Sequence, residues 1–177
     1  MLVPAPTITS FTPTTGLVGT PITINGTNFT GVTAVKIGTV SITGFTVVSA
    51  TQITATLPTT AKTGAISVTT SGGTATSTSF TVVALPTITS FTPTSITIAS
   101  ATKSVTITGT NLTGATSVTL TPTTGTNPAT VITGLTGVSA TKSTFVCPAN
   151  LALGTYKIQI TTAVGTSNQS TGTLTIK

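Results

Sequence analysis

The sequence predicts an all-β protein built as two tandem β-sandwiches, and three observations predict it. Threonine fills most polar positions, while glutamate and arginine are absent and lysine and glutamine are sparse. Threonine is β-branched and suits a half-exposed pleated surface, whereas the missing types are good helix formers. Short segments of period-2 alternation are separated by Gly, Pro and Asn every 8 to 12 residues or so, the pattern of a sandwich rather than a helical domain. The whole pattern then occurs a second time.

The first copy reads strand by strand. Ile8 and Phe11 sit in an opening strand between Pro6 and Pro13. Ile22 and Ile24 alternate with threonine before the Asn25-Gly26-Thr27-Asn28 turn signal. Ala34 to Ile37 ends at Gly38, and Gln52 to Leu57 ends at Pro58. Ala65 to Thr69 runs into Ser71-Gly72-Gly73, and Thr76 to Val82 closes the copy. About seven short strands are expected in each copy.

The second copy repeats these signals. Pro6 to Thr14 returns residue for residue as Pro86 to Thr94. Ile22 to Gly31 returns as Val105 to Gly114, and Val48 to Thr51 as Val138 to Thr141. Leu57-Pro58 returns as Cys147-Pro148, and Gly64 as Gly154. The offset between copies grows along the chain, so copy two carries insertions. A repeat of this length is a whole domain, since solenoid units run to roughly 20–45 residues. The expected domains are residues 1–84 and 85–177. Only Ala84-Leu85 separates the last strand of one from Pro86 of the next, so a stiff pair is expected.

Composition limits the chemistry. The 177 residues contain no Asp, Glu or His, and the six charges are all lysines: 36, 62, 103, 142, 157 and 177. Proton transfer near neutral pH usually needs His, Asp or Glu, and a serine or cysteine nucleophile needs a base beside it. Zinc and calcium sites draw on Cys, His and carboxylates. A Ser–Lys dyad is formally open, but no motif supports one. No catalytic residue, metal site or cofactor is therefore expected, and the chain is read as a non-enzyme. No apolar run approaches the roughly 20 residues of a membrane helix, so no membrane insertion is expected. Acid unfolding mostly follows protonation of carboxylates and histidines. Lacking both, the fold is expected to be almost indifferent to pH from about 2 to 9.

Each copy resembles the IPT/TIG domain. Copy one carries the resemblance over residues 6–83, in Pro6-Thr7-Ile8, Phe11-Thr12-Pro13, Gly16 to Thr20, Ile22 to Phe29, Val35 to Gly38, Pro58, Gly64, Gly72-Gly73 and Phe80. Copy two departs at Ser95 to Ser100, in a loop after Val118-Thr119-Leu120, and at Ala163 to Thr166. The resemblance implies two immunoglobulin-like β-sandwiches and a spacer or binding role. It carries no catalytic residue to this chain.

Several features call for weighing. Cys147 stands where Leu57 stands, so a small buried hydrophobe is the plain reading and a reactive thiol the sharper one. Asn25, Asn28, Asn111 and Asn168 begin N-x-[ST] sequons. For Asn28 and Asn111 the plain reading is a side chain bonding its own backbone in a turn. The insertion Thr121 to Thr130 is either a tolerated surface loop or a contact loop, with Thr123, Thr124, Gly125, Thr126 and Asn127 as candidate contact residues. The lysines are scattered and arginine is missing, so specific nucleic-acid binding is not expected. Weak contact with an anionic surface or a glycan stays open.

These readings lead to a structural or adhesive protein with protein partners, through self-association or a capsid or surface lattice. Edge strands poor in lysine and proline favour association between copies. A virion-surface component, a head decoration or tail protein, is the leading expectation. It rests on Met1 without an export signal and a chain that reads as a complete small product. The alternative is a cell-surface or secreted module of an adhesin, filament or surface layer. A carbohydrate-binding accessory domain is a third, weakened by the single tyrosine and absent tryptophan.

Overall fold

The computed structural model describes residues 3–98 and 103–177. The chain divides into two compact units, Met1–Ala84 and Leu85–Lys177. Each is a β-sandwich, and no helix occurs among the described residues. The sequence segment Ser95 to Ser100 is described only to Ile98, so the Ala99-Ser100 end of that departure lies outside the described residues.

The first unit contains β1 (Thr7–Thr12), β2 (Thr15–Gly16), β3 (Pro21–Thr27), β4 (Ala34–Ile37), β5 (Val40–Ser41), β6 (Phe45–Ser49), β7 (Gln52–Thr56), β8 (Gly64–Thr70) and β9 (Gly73–Val82). One sheet runs β1-β3-β7-β6 and the other β2-β9-β8-β4-β5. Nine strands are described rather than the expected seven, because two-residue pieces add to the count. The opening segment is one of these cases: β1 pairs antiparallel with β3, then β2 pairs parallel with β9 in the opposite sheet. The Thr12–Pro13 peptide between them is cis.

The alternation read in the sequence becomes the core. In β3, Ile22 and Ile24 point inward between half-exposed threonine and asparagine. They meet Ile53 of β7, Val35 and Ile37 of β4, Ile66 and Val68 of β8, and Phe80 of β9 in one cluster. Fully burying one such side chain contributes roughly 1.5–3 kcal/mol. Phe11 joins Phe80 with ring centroids 6.2 Å apart, a tilted aromatic pair linking β1 to β9.

The second unit contains β10 (Thr87–Thr92), β11 (Ser95–Ile96), β12 (Lys103–Thr110), β13 (Ser117–Pro122), β14 (Thr130–Thr133), β15 (Lys142–Cys147), β16 (Gly154–Thr162), β17 (Gly165–Thr166) and β18 (Leu174–Ile176). Its sheets run β10-β12-β15 and β11-β18-β16-β13-β14, with β17 added beside β16. The β10–β12 register repeats that of β1–β3, down to a bulge at Thr89 matching Thr9. Among the described residues β6 has no counterpart strand, and a Thr136–Thr144 bridge stands in its place. Gly134 and Gly137, at φ 73° and 58°, explain the loss: the left-handed backbone cannot continue a strand.

Two local features in this unit escape pattern reading. Between β17 and β18 the chain leaves the ladder, and serines fill the gap. Ser167 donates its N–H to the Ile160 carbonyl while its hydroxyl accepts from the Ile160 N–H at 3.0 Å. Ser170 makes the same two-point clamp on Ile158. Both serines are buried, so the hydroxyls satisfy amides that would otherwise stand unpaired.

The second feature is Ser143. It lies opposite Ile107, as Ile53 lies opposite Ile24 in the first unit. Its side chain is fully buried and its hydroxyl has no partner among the described residues. An unpaired buried hydroxyl costs about 1–3 kcal/mol. Ser143→Ala is therefore expected to raise stability by about 1 kcal/mol in a denaturant melt. A lowered midpoint would mean the hydroxyl has a partner.

Candidate functional site

The insertion of the second unit is the site where the two copies diverge most. In the first unit, β4 turns at Gly38 straight into β5. In the second, β13 extends through Thr121 and Pro122, paired with Lys157 and Tyr156 of β16. The extra loop is thus shorter than the sequence suggests, because both ends of the insertion are drawn into strands. Thr130 already belongs to β14 and pairs with Leu120.

The five candidate contact residues divide. Thr123 is an anchor: its N–H donates to the Thr155 carbonyl at 2.9 Å, and its hydroxyl bonds the Thr155 hydroxyl. Thr124, Gly125, Thr126 and Asn127 are exposed beyond it. Gly125 has φ 85°, a left-handed value that lets the loop reverse.

A cavity of about 210 Å³ opens beside the end of this loop. Asn127, Pro128 and Thr130 form one wall. A second wall comes from the turn before β16, with Asn150, Leu151 and Ala152, and the buried Tyr156 completes the lining as its floor. Asn127 and Asn150 are exposed at the rim, and neither side-chain amide is bonded to another described residue. The Tyr156 hydroxyl donates to the Ala152 carbonyl at 2.7 Å, which fixes the turn against the floor. Sequence reading found the loop but not this second wall. The available signal was a set of changes between copies: Thr60, Ala61 and Ile66 become Asn150, Leu151 and Tyr156 when Gly64 is aligned with Gly154.

Two further grooves, of about 390 and 210 Å³, occur one in each unit. One lies between Thr9-Ser10 and Thr76 to Thr78, the other between Thr89-Ser90 and Ser170 to Thr173. Their recurrence at matching bulges makes them a property of the shared fold.

The thiol and the sequons take plain roles. Cys147 is 2% exposed, and burial raises its pKa. Burial also raises that of Tyr156, with a smaller contribution from the neighbouring Cys147 charge. Asn28 and Asn111 do not bond their own turn, as the sequence suggested. Their φ values of 57° and 55° swing the side chains back onto the segment preceding the first strand of each unit. Asn28 Nδ2 donates to the Ala5 carbonyl at 2.9 Å, and Asn111 Nδ2 to the Leu85 carbonyl at 3.1 Å. Asn25 is half-buried and donates to Ser10 while accepting from Gln52.

The architecture is therefore that of a protein made of tandem immunoglobulin-like sandwiches, with one elaborated loop region. The chain belongs to the IPT/TIG domain family, whose model matches residues 6–82 and 86–176. No curated protein matches the sequence significantly. Among solved structures, SGBP-B from a complex xyloglucan utilization locus in Bacteroides uniformis is similar, at 24% identity and TM-score 0.43. That likeness covers 97% of this chain and 50% of the other. SGBP-B from a mixed-linkage glucan utilization locus of Bacteroides ovatus, in complex with a heptasaccharide, is similar at 22% identity and TM-score 0.41. It covers 93% of this chain and 43% of that one. The gamma-CGTase of Alkalophilic bacillus clarkii is similar at 20% identity and TM-score 0.41, covering 96% of this chain and 25% of the enzyme. The chain thus spans half or less of the length of these proteins.

Proposed function

We propose that this chain is a non-catalytic module that works at an extracellular surface and meets its partner through the insertion of its second unit. The observation that carries the reading is the side-chain inventory. With no Asp, Glu, His or Arg, the chain has shape, hydroxyls, amides and six dispersed lysines to offer. Binding can be built from these; proton transfer and metal chemistry need groups that are missing. The insertion supports the placement of the contact, because it is exposed at Thr124 to Asn127 and not required by the first unit's version of the fold. The expected virion role finds no support among the proteins the chain resembles. A cell-surface or secreted module is the setting carried forward, with other copies or a surface lattice as protein partners.

Immunogold labelling with an antibody to residues 121–130 tests the setting. Intact, unpermeabilised source cells or their extracellular material should label. Labelling only after lysis, or only on phage particles, would overturn it. Purified protein added back to stripped cells should rebind, and a variant with Thr124, Thr126 and Asn127 replaced by glycine should not.

A further inference from the structure

We infer that the cavity beside the insertion is a subsite for one ring of a neutral sugar. This rests on the insertion being the contact region and names the class of ligand it takes there. The lining decides the class by charge first. No lysine lines the cavity, so an anion gains no partner. Lys157, the nearest lysine along the floor strand, donates to the Thr171 and Gly172 carbonyls on another part of the unit. No carboxylate side chain exists in the chain and none lines the cavity, so a cation gains no partner either.

Polarity decides next. A wholly apolar ligand would strip water from the Asn127 and Asn150 amides and the Thr130 hydroxyl without replacing its hydrogen bonds, at a cost for each group. A side-chain amide both donates and accepts. Two of them lining one small cavity match adjacent hydroxyls, which also do both. Pro128, Leu151 and Ala152 supply the apolar surface that the C–H face of a sugar ring needs.

Size sets the extent. At about 210 Å³ the cavity is smaller than the roughly 300–1,000 Å³ of ordinary ligand pockets, so it seats one ring rather than a chain. Tyr156 is 2% exposed, and its hydroxyl is already committed. It shapes the floor and does not act as a stacking platform. Without stacking, a single site binds weakly, and useful attachment comes from many copies displayed together.

The test is a titration of the full ¹⁵N-labelled chain with methyl glycosides of neutral hexoses and pentoses, with glucuronate and choline as charged controls. Saturable shifts are expected at the Asn127 and Asn150 side-chain amides and in residues 149–153, with none in residues 3–84. The Asn127→Ala/Asn150→Ala double variant should lose the saturable shift while its melting midpoint stays unchanged. The inference is overturned if no neutral sugar gives a saturable shift, if a charged control binds better, or if the double variant still responds. If sugars fail while the glycine loop variant still loses attachment to cells, the ligand class falls and the contact loop stands.

Discussion

Gly26→Ala is expected to destabilise the first unit by at least about 3 kcal/mol, and Gly109→Ala to do the same to the second. A Cβ on Gly26 would stand 1.8 Å from the Thr7 carbonyl oxygen, and one on Gly109 1.8 Å from that of Thr87. The clashing atom is backbone, so no side chain can swing aside. Relief requires β1 to separate from β3, or β10 from β12, next to the bulges at Thr9 and Thr89. For units of this size, the loss corresponds to a fall of roughly 12–25 °C in melting midpoint. Gly31→Ala is the control: φ is +71° but nothing lies within 4 Å, so only backbone strain of roughly 1–2 kcal/mol is added. Calorimetry gives the size of each loss, and hydrogen exchange shows which unit opens. Equal effects at Gly26 and Gly31 would remove the close approach as the cause.

Raising the pH is expected to unfold the second unit before the first, whereas lowering it should do little to either. Cys147 and Tyr156 both belong to the second unit, and burial raises both pKa values in the folded state. Their stabilising contribution is complete below the unfolded-state values, near 8.5 for the thiol and 10 for the phenol. Above those values the unfolded chain releases protons that the folded chain retains. Stability then falls by roughly 1.4 kcal/mol per pH unit for each such group, until the raised folded-state value is passed. The first unit contains neither residue type. On the acid side, no side chain titrates between about pH 2 and neutrality by its reference value. Melts at pH 2.5, 7 and 10.5, read by hydrogen exchange in each unit, test both halves. Cys147→Val should remove the thiol's share of the alkaline loss. A large drop at pH 2.5, or simultaneous alkaline opening of both units, would contradict the reasoning.

Much of the fold was legible because it follows from neighbours along the chain. Ile22 and Ile24 alternate with polar residues, so their shared face can be read without coordinates. The same holds for Val105 and Ile107 and for the strands that meet them. What stayed hidden depends on residues far apart in sequence. Gly26 reads as a turn glycine, but its requirement comes from the Thr7 carbonyl on the strand it pairs with. Asn28 reads as a turn former, yet it bonds Ala5, before the first strand. Ser143 looks like one polar position among many until the register places it where the other copy has Ile53. The candidate site divides in the same way. The insertion shows up as misalignment between copies, whereas the wall formed by Asn150 and Leu151 is supplied by a different turn.

The serine clamps also bear on how this chain can change over time. Where main-chain pairing fixes an edge, adding or removing a residue shifts every following side chain to the opposite face. Between Ser167 and Leu174 the edge narrows to the two clamps on Ile160 and Ile158, each one main-chain bond and one hydroxyl bond, so only the residues outside those clamps are excused from keeping count. The exposed residues after Ser170, Thr171 to Thr173, are the position where length can vary or a foreign peptide be grafted while both serines and the inward residues of the last strand keep their alignment.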